Sequence, residues 1–268
     1  MTGSENSSFT IYGELFQSNN IPSKTHTADL NSTVALDMIW VEPGTFTMGS
    51  PTTETGRGTD ETEHNVTLTE GFYLGKYEVT QAQYEAVMTG NSYGLSAKPS
   101  WFDGHPNRPV ENVSWDDIQK FLIRLNTLEA DNIPEGWAYV LPTEAQWEYA
   151  CRAGTTSAYS WGDTITTSNA NYNASGNYTV DVGQYSANPW GFYDMHGNVS
   201  ELTLDTLGSY SADPKTDPYN AGSSGSWRVD RGRSWYDNSS DLRSASRGSV
   251  AASDSNYHLG FRVGFQQQ

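Results

Sequence analysis

The chain has 268 residues, a formal net charge of −17 and one cysteine, Cys151. The negative charge disfavours nucleic acid and anionic lipid surfaces as partners, because both would repel the protein at long range. The lone cysteine excludes an intrachain disulfide and a cysteine-based metal cluster, while 9 Trp, 16 Tyr, 9 Phe and 25 Gly are typical of a folded, loop-rich protein with an aromatic core.

The N-terminal residues 1–35 are rich in Ser, Thr and Asn and have few apolar anchors. This composition predicts a polar arm or linker ahead of one domain at 36–268. The start Met1–Ser8 lacks the features of a signal peptide, and no apolar run in the sequence is long enough to cross a bilayer.

The domain opens with an expected β-hairpin. Met38–Val41 is a short apolar run, Pro43 and Gly44 are turn residues, and Thr45–Gly49 follows as a second short strand pattern.

Three helices are predicted from their start signals, at Thr80, Ser114 and Thr143. Thr80 and Thr143 are each followed three residues later by Gln, which forms a capping-box pattern. Apolar residues recur at helical spacing after each start, and Gly154 supplies a left-handed stop to the third helix. The positions expected to face inward are Tyr84, Val87 and Met88, then Ile118, Phe121, Leu122 and Leu125, then Trp147 and Ala150.

Several sequence blocks occur in one order along most of the chain. They are Glu42–Gly49 (EPGTFTMG), Tyr77–Tyr84 (YEVTQAQY), Pro109–Asp117 (PVENVSWDD), Leu141–Gly154 (LPTEAQWEYACRAG), Gly191–Glu201 (GFYDMHGNVSE), Arg231–Trp235 (RGRSW) and Leu259–Val263 (LGFRV). Together they resemble the formylglycine-generating enzyme (sulfatase-modifying factor) superfamily. The resemblance implies an α+β, C-type-lectin-like fold that is loop-rich, with short strands and a few helices.

The resemblance also shows what this chain lacks. Formylglycine-generating oxidases use a cysteine pair just past the Ser-Trp of the C-terminal motif to bind copper and the substrate thiol, whereas Ser234–Leu242 reads SWYDNSSDL here. Oxygen ligands cannot replace two soft thiolates for Cu(I), so we expect no enzyme. The sulfoxide synthases of the superfamily hold iron with histidines, but the five histidines of this chain show no metal-ligand spacing.

Two carboxylates could suggest acid–base chemistry. Glu144 and Glu148 are four residues apart on the third predicted helix. We interpret them instead as one solvated helix face beside Trp147.

The tail from Tyr236 to His258 has an unusual composition. It contains no Lys, Glu, Gln, Met or Trp, the types that a codon cannot encode when adenines of AAC or AAT vary and the third-position pyrimidine stays fixed. Framed by the last two motifs, the segment at about 228–265 resembles the variable region of diversity-generating-retroelement target proteins of the treponemal variable protein type.

This second resemblance implies a non-enzymatic binding protein with a diversified C-terminal surface. The frame residues Trp235, Leu242, Phe261 and Val263 should be buried, with Tyr236 and Tyr257 as aromatic anchors in a polar surround. The residues expected to bind ligand are Tyr236, Asp237, Asn238, Asp241, Ser246, Gly248, Ser249, Val250, Asp254, Asn256, Tyr257 and His258.

Other expectations concern cofactors, partners and alternatives. No cofactor is expected except a structural calcium ion, for which Asn198, the Val199 carbonyl and Glu201 offer hard oxygen ligands. The partner would be a protein or other cell-surface molecule bound by a monomer. The family implies a cell-surface or extracellular location, with a lipid anchor on a segment missing from this chain. An oxidase of the same family and a calcium-dependent lectin stay open as alternatives.

Overall fold

The computed structural model describes residues 23–173, 176–222 and 227–268. Within them the fold is α+β, as predicted, with three small sheets, three helices and long irregular connections. The strands are β1 Thr25–Asp29, β2 Ala35–Val41, β3 Gly44–Met48, β4 His64–Leu68, β5 Phe72–Gly75, β6 Trp137–Val140, β7 Ser200–Thr206, β8 Lys215–Thr216, β9 Trp227–Arg231, β10 Arg247–Ala251, β11 Leu259–Gly260 and β12 Gly264–Gln267.

The helices are α1 Gln81–Met88, α2 Trp115–Leu128 and α3 Glu144–Arg152. All three have the predicted caps: the side chains of Thr80, Ser114 and Thr143 each accept a bond from the backbone N–H three residues on, and that residue's side chain bonds back. The predicted inward positions of all three helices are buried. The left-handed stop of α3 begins one residue earlier than expected, at Ala153, and continues into Gly154.

A five-stranded sheet in the order β1-β2-β5-β12-β6 carries the main core on one face. Strand β12, the last in chain order, lies between β5 and β6 and joins them into one sheet. Phe265 of β12 stacks on Tyr139 with ring centroids 4.5 Å apart and on His26 of β1 at 4.6 Å. These rings account for part of the high aromatic content.

Two expectations near the N-terminus differ from the structure. Strand β1 lies inside the segment 1–35 that was predicted to be an arm, pairs antiparallel with β2 and buries Ala28 completely; residues 1–22 lie outside the described part of the chain. The predicted hairpin is also wrong, because β2 pairs with β1 and β5 whereas β3 pairs with β4 in another sheet. The Pro43-Gly44 turn passes the chain between sheets.

A four-stranded sheet, β10-β9-β7-β11, positions the C-terminal segment. Strand β9 leads into Gly232, whose φ of +78° and close approach to Trp147 (3.0 Å from an added Cβ) suit glycine. Beyond it the chain forms a 3₁₀ turn at Ser239–Leu242, returns as β10 beside β9, and pairs through β11 with β7. The loops of the C-terminal segment therefore begin and end in strands of the same sheet.

In the described residues no helix is long and apolar enough to span a membrane.

Candidate ligand-binding surface

The predicted frame of the tail is confirmed as buried. Trp235 is 6% exposed, and Leu242, Phe261 and Val263 are fully buried. The indole N–H of Trp235 donates to the Tyr257 carbonyl oxygen at 3.4 Å, which joins the two loops of the tail. The buried frame residues and this bond therefore hold the backbone from which the exposed side chains of the tail project.

Two tyrosines protrude from this frame. Tyr236 is 56% exposed and Tyr257 is 41% exposed. Their rings meet edge-on with centroids 6.4 Å apart, and Tyr257 lies 5.8 Å from Trp235. His258 adds a fourth ring, 5.8 Å from Tyr236. The arrangement offers large, rigid contact area at low entropic cost.

The other predicted ligand-binding residues differ in exposure. Asn238 and Asp254 are exposed, and six are half-buried: Asp237, Asp241, Ser249, Val250, Asn256 and His258. Ser246 and Gly248 are buried, contrary to their expected display. For Gly248 the cause is the pairing of β10 with β9, which places it opposite Asp230, so close that an added Cβ would lie 2.4 Å from the Asp230 carboxylate. Ser246 precedes β10 and lies in a turn in which its backbone N–H donates to the Arg243 carbonyl at 3.0 Å.

Half-buried polar residues of the tail stabilise its turns. The Asp237 carboxylate accepts bonds from the Ser234 backbone N–H at 2.9 Å and hydroxyl at 2.6 Å. The Asn256 side-chain oxygen accepts the His258 backbone N–H at 3.1 Å. Such side-chain-to-backbone bonds fix loop shape, so these residues position the exposed tyrosines even if they touch no ligand.

A buried ion-pair network supports the tail from below, and it corrects the interpretation of Glu144 and Glu148. Both are buried rather than solvated. Glu148 pairs with Arg231 and with Arg152, the latter at 2.9 Å, while Glu144 accepts two bonds from Arg247 at 2.7 and 2.8 Å. Burial alone would raise the pKa of Glu144, but the Arg231 and Arg247 charges hold it below its ordinary value.

A loop outside the tail contributes aromatic surface that the sequence reasoning missed. The ring of Phe102 meets Trp235 edge-on at 5.6 Å, and the neighbouring Trp101 is 74% exposed. The Glu111 carboxylate accepts both backbone N–H groups, at 3.0 and 2.9 Å. A bond from the Asn112 N–H to the Asn256 carbonyl at 2.9 Å ties this region to the tail. The sequence signal that could have indicated this surface is a Trp-Phe pair in a loop flanked by Pro99, Asp103 and Gly104.

The buried cysteine is not arranged for catalysis. Cys151 Sγ lies 3.5 Å from His196 Nε2, a contact that could suggest a nucleophile and its base. Burial raises the pKa of the Cys151 thiol to about 12 and lowers the pKa of His196 to about 4. Both groups are therefore neutral at pH 7 and shielded from solvent, and the cysteine pair of the oxidases is absent.

Two of the three predicted calcium ligands, Asn198 and Glu201, already have protein partners, while the third is the Val199 carbonyl. The Glu201 carboxylate accepts bonds from Arg262 (2.6 Å to each oxygen) and from the Trp147 indole at 2.7 Å. The Asn198 side-chain oxygen accepts from Asn171 and Val180. These donors occupy the oxygens that calcium would need, so the predicted set does not fit the ion. In the described residues no group of three or more His, Cys, Asp or Glu could hold a metal.

Comparison with known proteins agrees with this architecture. A family model described as "Sulfatase-modifying factor enzyme 1-like domain" matches residues 24–266. Chaperone protein LppX of Paenibacillus barcinonensis is 32% identical over 252 residues, 76% of this chain and 80% of that protein. The formylglycine-generating enzyme of Streptomyces coelicolor is 33% identical over 180 residues, 59% of this chain and 53% of that enzyme.

Among solved structures, Treponema denticola variable protein 1 superposes with a TM-score of 0.77 at 26% identity, covering 91% of this chain and 99% of that one. By the family match and this shared fold, the chain belongs to the sulfatase-modifying factor enzyme 1-like family.

Proposed function

We propose that this protein is a non-enzymatic ligand-binding protein that displays a diversified C-terminal surface on its formylglycine-generating-enzyme-like scaffold. The observation that carries the proposal is the exposed pair Tyr236 and Tyr257 above the buried Trp235. A rigid frame with protruding aromatic side chains lets the contact residues change while the fold persists. The structural similarity to a treponemal variable protein supports the same reading.

The diversification itself is tested in the genome. A near-identical template repeat of the codons for 236–258, with adenines at the divergent positions and a reverse-transcriptase gene nearby, is the expected finding. A locus without such a repeat would argue against diversification and leave a fixed binding surface.

An oxidase is the second candidate, because a formylglycine-generating enzyme is among the relatives. The absence of its cysteine pair and the buried, neutral Cys151 favour binding over oxidation. The discriminating assay incubates the protein with copper, oxygen and a cysteine-containing sulfatase peptide. We expect no aldehyde product by mass spectrometry, and aldehyde formed above the copper-only background would reverse the assignment.

The proposed partner is a protein or other cell-surface molecule, bound by a monomer at the cell surface or outside the cell. The relative named as a chaperone protein is compatible with holding another protein. Protease shaving of intact cells tests the location: loss of the protein from unlysed cells supports it, and full protection contradicts it. Light scattering on the purified chain tests the monomer.

A further inference from the structure

Most positive charge in the C-terminal part of the chain is buried, and the rest has partners within the chain. From 228 to 268 there is no lysine, and each arginine has a partner within the chain. Arg231, Arg243, Arg247 and Arg262 are buried in ion pairs with glutamates. Arg228 covers the ring of Trp115 at 3.6 Å, and Arg233 donates to the Arg247 carbonyl at 2.6 Å.

Negative charge around the same tail points outward. Asp254 is exposed, and so are Asp103, next to Phe102, and Asp116, whose backbone N–H donates to the Ala252 carbonyl at 3.1 Å. None of the three forms an ion pair within the described residues. Burial lowers the pKa of His258, so this ring adds no positive charge at neutral pH. Lys98, which lines the same pocket as Asp103, is paired with Glu85 at 2.9 Å, so the unpaired exposed charges named here are acidic.

Acidic groups beside exposed aromatic faces are suited to cations. The face of a Trp or Tyr ring attracts an ammonium or guanidinium group by about 0.5–2 kcal/mol, depending on its solvation. Trp101, Tyr236 and Tyr257 offer such faces, and the exposed Asp103 and Asp254, two residues from Trp101 and three from Tyr257 along the chain, supply opposite charge. A neutral or acidic partner would gain less from this combination.

We infer that the aromatic-acidic face, defined as Trp101, Asp103, Tyr236, Asp254 and Tyr257, receives a lysine- or arginine-rich segment of a protein partner. The inference rests on the proposed binding function and specifies its partner chemistry. Trp101, which lies outside the predicted variable region, then acts as a constant anchor for the cationic side chain, whereas tail residues adjust the fit.

The first arm of the test titrates the whole protein into a fluorescent nona-arginine peptide, with nona-glutamate and a Gly-Ser peptide as controls. Trp101→Ala is compared with Tyr219→Ala, which removes an aromatic side chain that is 51% exposed but belongs to another loop. We expect Trp101→Ala to weaken nona-arginine binding about five- to tenfold and Tyr219→Ala to leave it unchanged.

The second arm separates local from overall charge. Asp103→Asn with Asp254→Asn is compared with Asp29→Asn and Glu70→Gln, two exposed acids elsewhere that give the same change in net charge. The first pair should weaken binding more than the second and flatten its salt dependence. Equal weakening by both pairs would overturn the inference, since attraction would then come from net charge alone.

Trp101-dependent binding of a neutral oligosaccharide, without binding of nona-arginine, would also overturn it in favour of a glycan. Neither result bears on the proposed diversified surface, which is tested by whether the protein still folds when the exposed tail residues are randomised. A tail that cannot be randomised without unfolding would instead remove the proposed function while leaving a peptide-binding result in place.

Discussion

At the scale of single residues, Cys151 gives the simplest test of the buried interior. It is fully buried, and burial raises the pKa of its thiol to about 12. We expect no labelling by iodoacetamide in the native protein up to pH 9 and complete labelling in urea, because only an accessible thiolate reacts. Mass spectrometry reads the result. Native labelling at pH 7.5 would contradict the assignment of Cys151 as structural.

His196 is expected to destabilise the fold in acid. Its Nε2 accepts the Ser160 backbone N–H at 3.2 Å, so Nδ1 carries the proton that bonds the Leu242 carbonyl at 2.7 Å. Burial lowers the pKa of His196 to about 4 from 6.5. Between these values the unfolded chain binds a proton that the folded chain does not, so stability contributed at pH 7 is lost as pH falls.

The measurement is the free energy of unfolding in urea at pH 7 and pH 5, for the wild type and His196→Gln. Carboxylates also titrate in this range, so the loss of unfolding free energy on acidification is compared between the wild type and the variant. The wild type should lose about 2 kcal/mol more than the variant on acidification. An identical loss in both proteins would show that His196 is not held neutral.

At the scale of elements, the structure separates local from non-local signals. Capping residues act within one turn of their own helix, which is why Thr80, Ser114 and Thr143 predicted α1, α2 and α3 from sequence. Strand pairing depends on distant segments, so the adjacent strands β2 and β3 suggested a hairpin although they belong to different sheets. Strand β1 was missed because its sequence, THTAD, is mostly polar, which is common in a strand at the edge of a sheet.

The ion pairs that join α3 to β9 are expected to be essential. Glu148 accepts bonds from Arg231, Arg152 and the Gly49 N–H at 2.9 Å, all buried. Glu148→Ala removes the carboxylate that pairs with buried Arg152 and one of the two that pair with buried Arg231, and should cost about 3–5 kcal/mol of unfolding free energy. The exposed Glu70→Ala is the control and should stay within about 0.5 kcal/mol. A similar small effect for both variants would refute a supporting role for this network.

At the scale of the whole molecule, family motifs predicted the fold, and the resemblance of the tail predicted its frame, in which Trp235 and Leu242 are buried. Composition indicated a segment with exposed side chains but did not identify every position correctly. Gly248 is covered by strand pairing, Ser246 is buried in the turn before β10, and Trp101 comes from a distant loop. The burial of Glu144 and Glu148 could not be predicted from sequence, since Arg231 and Arg247, which join them to the tail, are more than eighty residues away.

The central claim is that this frame keeps its fold while the surface residues change. The direct measurement compares two displayed libraries by protease resistance. One randomises the exposed positions Tyr236, Asn238, Asp254 and Tyr257, and the other randomises the buried positions Arg231, Leu242, Arg243 and Arg262. We predict that most members of the first library stay resistant and yield binders to unrelated proteins, while few of the second survive. Equal losses in the two libraries would contradict the account.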